Sequence, residues 1–372
     1  MKVAIVTESF LPDVNGVTNS VLRVLDFLHE NGHQAIVIAP ENNKGIKEYL
    51  GFKIIRTTSL RINQMIPIAI PERTIEPLLE GFSPDVIHLA SPIILGSYVT
   101  KIAKKMGIPT VSIYQTDIAG FAKQYKLSIA HNSLRKWVAN IHAQTDRTLV
   151  PSTWSLKQLE AEGVSNARIW QRGVNLEKFN PAHRSETLRH QLGGSHKSLV
   201  GYIGRIAPEK GLENLIALNN RKDIQLVIVG DGPSREKYVK YLNNAIFLGF
   251  KENQELSSIY ASLDLFIHTG RYETFCQSVQ EALSSGIPVI APESGGPLDL
   301  ITHLVSGYLI DTEDGNTLNY AVDHFLHESD RKSMANIART SVLGRSWSAI
   351  NNQLISHYKD VQLIAKNVRG AA

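Results

Sequence analysis

Short apolar runs alternate with amphipathic segments along most of this chain. Val3 to Thr7 is a compact apolar run, closed by the turn-forming stretch SFLPDVNGV, after which Val17, Val21, Val24, Leu25 and Leu28 recur at helical spacing as far as Asn31-Gly32. The run HQAIVIA (His33 to Ala39) predicts a second strand, and a mixed segment follows around Lys53 to Pro71. The alternation then continues with DVIHLA, a helix over Ile93 to Met106, the strand IPTVSIY, a helix around Ser133 to Ala143, the strand RTLVP and a helix from Thr153 to Glu162. Such alternation predicts a parallel sheet covered on both faces.

Between Val174 and Gly194 the rhythm breaks. NLEKFNPAHRSE is rich in Pro, Asn and charge, and it reads as an interdomain linker. Strands restart with SLVGYIG, DIQLVIVGDG, NAIFLGF, LDLFIHT and IPVIAP, which predicts two α/β domains in series over residues 1–177 and 195–346. Near the end, Trp347, Ile350, Leu354, Tyr358 and Val361 form the stripe of an amphipathic helix, which by pattern alone docks on either domain.

The chemistry concentrates in RYETFCQSVQEALSSGIPVIA (Arg271 to Ala291), where Glu273 and Glu281 have seven residues between them. This stretch leaves a strand, enters a helix with apolar positions Phe275, Val279, Ala282 and Leu283, and ends in a buried strand. A helix start at the carboxyl end of a parallel strand favours an anion, so the amides of Phe275, Cys276 and Gln277 are candidate phosphate donors. Carboxylates beside a phosphate suit a different task, accepting hydroxyl hydrogens of a sugar and a ribose. The plainer reading makes Glu273 a helix cap and Glu281 a solvated surface residue.

GYIGRIAPEKG (Gly201 to Gly211) opens the second domain and sets Arg205 and Lys210 on a loop after its first strand. Two cations there can neutralise a departing diphosphate without a metal; alone, either is an ordinary surface charge. No Gly-Lys-Ser or Gly-Lys-Thr phosphate loop and no Gly-x-Gly-x-x-Gly turn after strand one is present. Asp231 in VGDGP faces a ligand or merely shapes a turn. In the first domain Gly16 permits close approach of backbone to a phosphate or is a turn glycine, and Gln115 and Asp117 leave the strand Ile108 to Tyr114 as candidates for contact with the acceptor or reacting sugar.

Composition narrows the class further. A 43% hydrophobic, 20% charged chain of 372 residues is an ordinary globular protein of about two domains. Its longest apolar runs are too short to span a bilayer, the N-terminus does not resemble a signal peptide, and one cysteine fits a reducing compartment, so a cytoplasmic location is expected. The net charge of +4 does not imply a nucleic-acid partner. From Ile118 to Thr145, however, there is no acidic residue, and Lys123, Lys126, Arg135 and Lys136 accompany Trp137. That surface suits an anionic membrane, or Trp137 faces the core of a solvated helix.

GRIAPEKG, YETFCQSVQEALSSGIPVIAPESGGP, SFLPDVNGV and RGVNLEKFNP together resemble the retaining, nucleotide-sugar-dependent glycosyltransferases of family four, over nearly the whole chain. TESFLPDVNGVTNSV and YQTDIAGFAKQY are most similar to bacterial GDP-mannose-dependent mannosyltransferases acting on glycolipids, and more distantly to plant sulfolipid synthases. The resemblance implies the glycosyltransferase B fold, two Rossmann-like domains facing across a cleft, with the helix over residues 347–368 joined to the first domain. It also implies that Arg205 and Lys210 hold the donor diphosphate, Glu273 the donor sugar and Glu281 the ribose, with Gly16 and the amides near Phe275 to Gln277 completing the phosphate site. No metal is required on this reading, the donor is a GDP-sugar and the acceptor a membrane glycolipid. Many members carry a histidine where Gln115 stands here. A UDP-sugar glucosyl- or sulfoquinovosyltransferase, a sugar-nucleotide epimerase and a non-catalytic membrane adaptor are the alternatives.

Overall fold

The computed structural model describes residues 1–42, 45–62, 66–115, 131–328 and 330–370, which divide into two compact units. The first extends to Gln171 and takes up the chain again from Ser348; the second begins at Arg172 and ends at Trp347.

The first unit contains β1 (Lys2–Thr7), α1 (Gly16–Glu30), β2 (Gln34–Pro40), β3 (Glu48–Tyr49), β4 (Phe52–Thr57), the hairpin β5 (Ser59–Ile62) with β6 (Ile66–Ala69), α2 (Ile75–Phe82), β7 (Val86–Ala90), α3 (Ile94–Met106), β8 (Thr110–Ile113), α4 (His131–Ala143), β9 (Arg147–Val150), α5 (Thr153–Ala161) and β10 (Ala167–Ile169). Its sheet runs β10-β9-β8-β7-β1-β2-β4-β3, and every pairing is parallel except β3 with β4. Successive side chains of β1 point to opposite faces, so Val3 and Ile5 pack with Val21, Val24 and Leu25 of α1, whereas Ala4 and Val6 pack with Leu95 and Val99 of α3. Both faces are dry, which is why the strand reads as an unbroken apolar run.

The second unit contains α6 (Glu186–Gln191), β11 (Ser198–Ile203), β12 (Ile224–Val229), α7 (Arg235–Tyr241), β13 (Ile246–Gly249), α8 (Asn253–Ser262), β14 (Leu265–Ile267), α9 (Gln277–Ser284), β15 (Val289–Pro292), β16 (Gly307–Ile310), α10 (Gly315–His327) and α11 (Arg331–Thr340). Its strands lie in the order β13-β12-β11-β14-β15-β16, all parallel. The chain winds outward from β11 in one direction and from β14 in the other, so the two adjacent central strands mark the switch point.

The segment expected to be a linker is built into this unit. Val174, Phe179 and Leu192 join its core, the Arg339 guanidinium donates to Phe179 O at 2.8 Å and Leu176 O at 3.0 Å, and Arg189 pairs with Asp264 at 3.0 Å. Its polar residues made it look like a connector, although they serve to bond its own backbone and that of its neighbours. The last helix, α12 (Trp347–Gly370), sends Ile350, Leu354, Tyr358 and Val361 into the core of the first unit, while Trp347 covers Gly173, where an added Cβ would come within 2.6 Å of the tryptophan.

Candidate active site

At the switch point of the second sheet, the loop after β11 meets the loop after β14. The first carries Arg205 and Lys210, the second runs from His268 to Cys276, and Thr269 Oγ1 ties them by donating to Lys210 O at 2.6 Å. Lys210 donates its ammonium to Glu273 Oε1, and His268 Nε2 stands 3.5 Å from the same oxygen. Burial would raise the Glu273 carboxyl, but the Lys210 and His268 charges prevail and hold it down at about 2. Lys210 is correspondingly raised, with the Glu273 charge overcoming its own burial. Arg172, lowered to about 10 by burial against the opposing pull of Glu273, adds a third cation to the neighbourhood.

The helix itself starts later than its apolar spacing suggests. Phe275 lies ahead of α9 in the core, and Cys276 is the cap, with φ 76° and ψ 75°. Gly295 and Gly296 impose this path, because Gly296 N donates to Glu273 O at 2.8 Å and a Cβ on Gly296 would sit 2.1 Å from Phe275 O. Gln277 and Gln280, on the first turn of α9, donate to Gly173 O and Arg172 O, both at 3.1 Å, and so anchor the segment by which the chain enters the unit. Glu281 follows just over one turn into α9. It is half-buried, accepts from Tyr260 Oη at 3.1 Å, and is pushed up to about 7 by burial, against the Tyr260 hydrogen bond and the Lys178 charge.

The other expected residues fall into distinct settings. The Arg205 side chain is 59% exposed and reaches Glu209 at 3.6 Å, while its carbonyl accepts from Tyr202 Oη at 2.9 Å. Asp231 is exposed and caps the amide of Gly232 at 2.7 Å; its carbonyl takes Ile206 N at 2.9 Å. The loops after β11 and β12 are thus zipped together, and Gly230 has no room for a Cβ, which would meet Gly204 O at 2.0 Å. In the first unit Gly16 is the exposed first residue of α1, behind Asn15, whose side chain accepts from Val17 N and Thr18 N at 3.0 Å. Gln115 lies half-buried just beyond β8, and Asp117 is outside the described residues.

Sequence reasoning missed His268, Arg172 and Tyr260, each an ordinary polar residue in or beside an apolar run. It also missed Glu8, which follows the apolar run of β1. Glu8 is buried, accepts from Ile93 N at 2.9 Å and Gly96 N at 3.0 Å at the start of α3, and burial raises its carboxyl despite those bonds. On α4, Trp137 is 40% exposed while Val138, Ala139 and Ile141 turn inward, so the tryptophan is not a core residue. Arg135 pairs with Glu162 at 2.6 Å, an acid from beyond the basic stretch; residues 116–130 of that stretch are outside the described residues. No helix among the described residues is long and apolar enough to cross a membrane.

Two parallel α/β units, the second with a cation and carboxylate cluster at its switch point, are the makings of a nucleotide-sugar glycosyltransferase of the B fold. The solved Anabaena protein HepE in complex with UDP shares that fold, with a TM-score of 0.80 over 97% of this chain and 100% of its own at 19% identity. Residues 14–178 match the model described as Glycosyltransferase Family 4, and residues 185–341 that described as Glycosyl transferases group 1. Among relatives, the GDP-mannose-dependent alpha-mannosyltransferase of Corynebacterium glutamicum is 44% identical over 99% of this chain and 91% of its own length. The sulfoquinovosyl transferase SQD2 of Arabidopsis thaliana is 31% identical over 92% of this chain and 70% of its own. The chain belongs to the family 4 glycosyltransferases.

Proposed function

We propose that the enzyme moves mannose from GDP-mannose to a hydroxyl of a membrane glycolipid, with retention of configuration. The observation that carries the donor choice is the 44% identity to a GDP-mannose-dependent relative, against 31% to the sulfoquinovosyl transferase. Arg205 and Lys210 hold the diphosphate, Glu273 accepts from hydroxyls of the sugar, and Glu281 from the ribose, with the cap at Phe275, Cys276 and Gln277 offering amides to phosphate. Asp231 has the weakest support, since its carboxylate is committed to the Gly232 amide. Gly16, Gln115 and Asp117 are assigned from the family resemblance to the phosphate and to the reacting sugar.

As the glycosidic bond breaks, negative charge grows on the diphosphate and positive charge on the anomeric carbon. Lys210 leaves its bond to Glu273 for the phosphate, which frees the carboxylate for the sugar. The acceptor hydroxyl attacks from the face the phosphate vacates, and the departing phosphate oxygen takes its proton. Two protein cations do the work a divalent metal does in other transferases, so the reaction runs in chelator. The enzyme acts at the cytoplasmic face of the membrane, held peripherally by Lys136, Trp137 and their neighbours.

The test is incorporation of radiolabelled sugar into lipid extract from GDP-mannose, UDP-glucose and UDP-sulfoquinovose, with EDTA present. The expected product is a mannolipid from GDP-mannose alone. Labelled lipid from a UDP-sugar overturns the donor, and conversion of the donor without lipid makes the protein an epimerase.

A further inference from the structure

Three side chains of the second unit bring a nitrogen, a sulfur and an oxygen together. The ring of His268, Cys276 Sγ and a Glu273 oxygen all lie within 4.8 Å of one another. His268 is 2% exposed, and neither ring nitrogen makes a full hydrogen bond among the described residues, Nε2 reaching only Glu273 Oε1 at 3.5 Å; Cys276 is 5% exposed and free. A buried imidazole held by no contact closer than this is uncommon, and a metal would give it the short bond it lacks. Tetrahedral zinc, with bonds of roughly 2.0–2.3 Å, sets its ligands about 3.5 Å apart, so the three groups need to close by about 1 Å. Thiolate with imidazole selects zinc or cadmium over magnesium and calcium.

We propose that His268, Cys276 and Glu273 form a binding site for a thiophilic divalent cation, zinc in the first instance, and that its occupancy switches the transferase off. Zinc takes the place of the thiol proton and of the imidazole proton whose charge faces Glu273, releasing both to solvent. Its bond to Glu273 competes with Lys210, whose ammonium occupies the same carboxylate. Lys210 has a four-carbon stem and a 19% exposed side chain, so it swings toward solvent. The cation assigned to the donor diphosphate is then displaced. The binding half of this inference stands whatever sugar is transferred; only the inhibition rests on the proposed role of Lys210.

Cadmium and zinc titrations of the full chain test it, read by the ultraviolet sulfur-to-cadmium charge-transfer band and by competition with a chromophoric chelator. One equivalent with the thiolate band is expected. Cys276→Ser and Cys276→Gly should abolish the band, the glycine variant suiting the left-handed backbone should the serine variant fail to fold, and His268→Gln should weaken binding by about 100-fold. Lys210→Met, which removes the competitor, should bind zinc about tenfold more tightly. No binding at micromolar metal, or a site indifferent to Cys276, overturns the proposal; unchanged affinity in Lys210→Met overturns the displacement. Zinc that binds at the cluster yet leaves sugar transfer unaltered overturns the inhibition alone.

Discussion

Lys210 and Glu273, the two residues proposed for opposite parts of the donor, are bonded to each other. Each therefore holds the other ready, and removing one strands the other. Lys210→Ala should lower kcat/KM by about 100- to 1000-fold, the usual scale for losing one charge that stabilises a transition state. It should also cost about 3–5 kcal/mol of stability, because a buried carboxylate loses its main partner. Glu273→Gln should keep more stability and lose comparable turnover. Since Glu273 is depressed from 4.5 to about 2, its contribution is complete above about pH 4.5 and lost as pH falls towards 2. Urea melts from pH 2 to 6 should therefore show a shallower acid limb in Glu273→Gln.

Glu281 has the opposite sign. Its folded value of about 7 means that the folded protein retains a proton the unfolded chain has released, so stability drains away between about pH 4.5 and 7. Ribose hydroxyls bind better to the ionised form, an acceptor only. GDP affinity should rise as pH passes through about 7, and Glu281→Gln should abolish that dependence while raising stability at pH 8. Calorimetry at pH 6, 7 and 8 reads both; an equal slope in wild type and variant would remove Glu281 from the nucleotide site.

The Gly295-Gly296 turn is the template for the cluster. An alanine at 296 meets Phe275 O at 2.1 Å, so the segment bearing Glu273 must move. Gly296→Ala should destabilise by about 1–3 kcal/mol and, with Glu273 in its proposed role on the sugar, depress kcat more than KM. A variant with wild-type melting and turnover would show the turn to be slack.

On α4 the charges are not equivalent. Arg135 is paired with Glu162, while Trp137 is 40% exposed. If this face meets an anionic bilayer, Lys136→Ala should weaken sedimentation with phosphatidylglycerol vesicles by about fivefold, the worth of about 1 kcal/mol for one basic residue. Arg135→Ala should do less, and Trp137→Ala should reduce binding to neutral vesicles as well. Equal binding by all three would dismiss this face.

How much of this was legible follows from the kind of signal each feature leaves. Strands buried on both faces leave apolar runs, so β1, β2 and β7 were readable, as was the α12 stripe through Ile350, Leu354, Tyr358 and Val361. Arg205 and Lys210 stood out only as a pair on the loop after one strand, and Glu273 and Glu281 only by their spacing about a helix start after another; each alone reads as an ordinary surface charge or cap. The start of α9 was misjudged because Phe275 has helical spacing, yet a contact with Gly296, 21 residues on, decides the backbone there. Polar residues such as His268 and Tyr260 have no local signature, since their partners lie on other elements. The linker was misplaced for a related reason: Asn and Arg mark both exposed connectors and segments stitched to a core by side-chain bonds.

The seating of α12 offers the last test. His88 Nδ1 and the Tyr358 hydroxyl hydrogen-bond at 2.7 Å, both wholly buried, and burial lowers His88 to about 3, which keeps the ring neutral at any working pH. Around the pair, Trp170 Nε1 donates to Ile350 O at 2.9 Å, Asn351 donates to Arg23 O at 2.9 Å, and Arg147 meets Asp360 at 2.7 Å. Tyr358→Phe keeps the ring and leaves the imidazole nitrogen without its partner, an expected loss of about 1–3 kcal/mol. Leu354→Ala, which opens a cavity in the same stripe, should cost about 2–5 kcal/mol. Asp360→Ala, on the more exposed pair, should cost no more than about 1 kcal/mol. That order of effects in denaturant melts is what an integral core helix requires; near-zero costs for all three would mean that α12 is only loosely attached to the first unit.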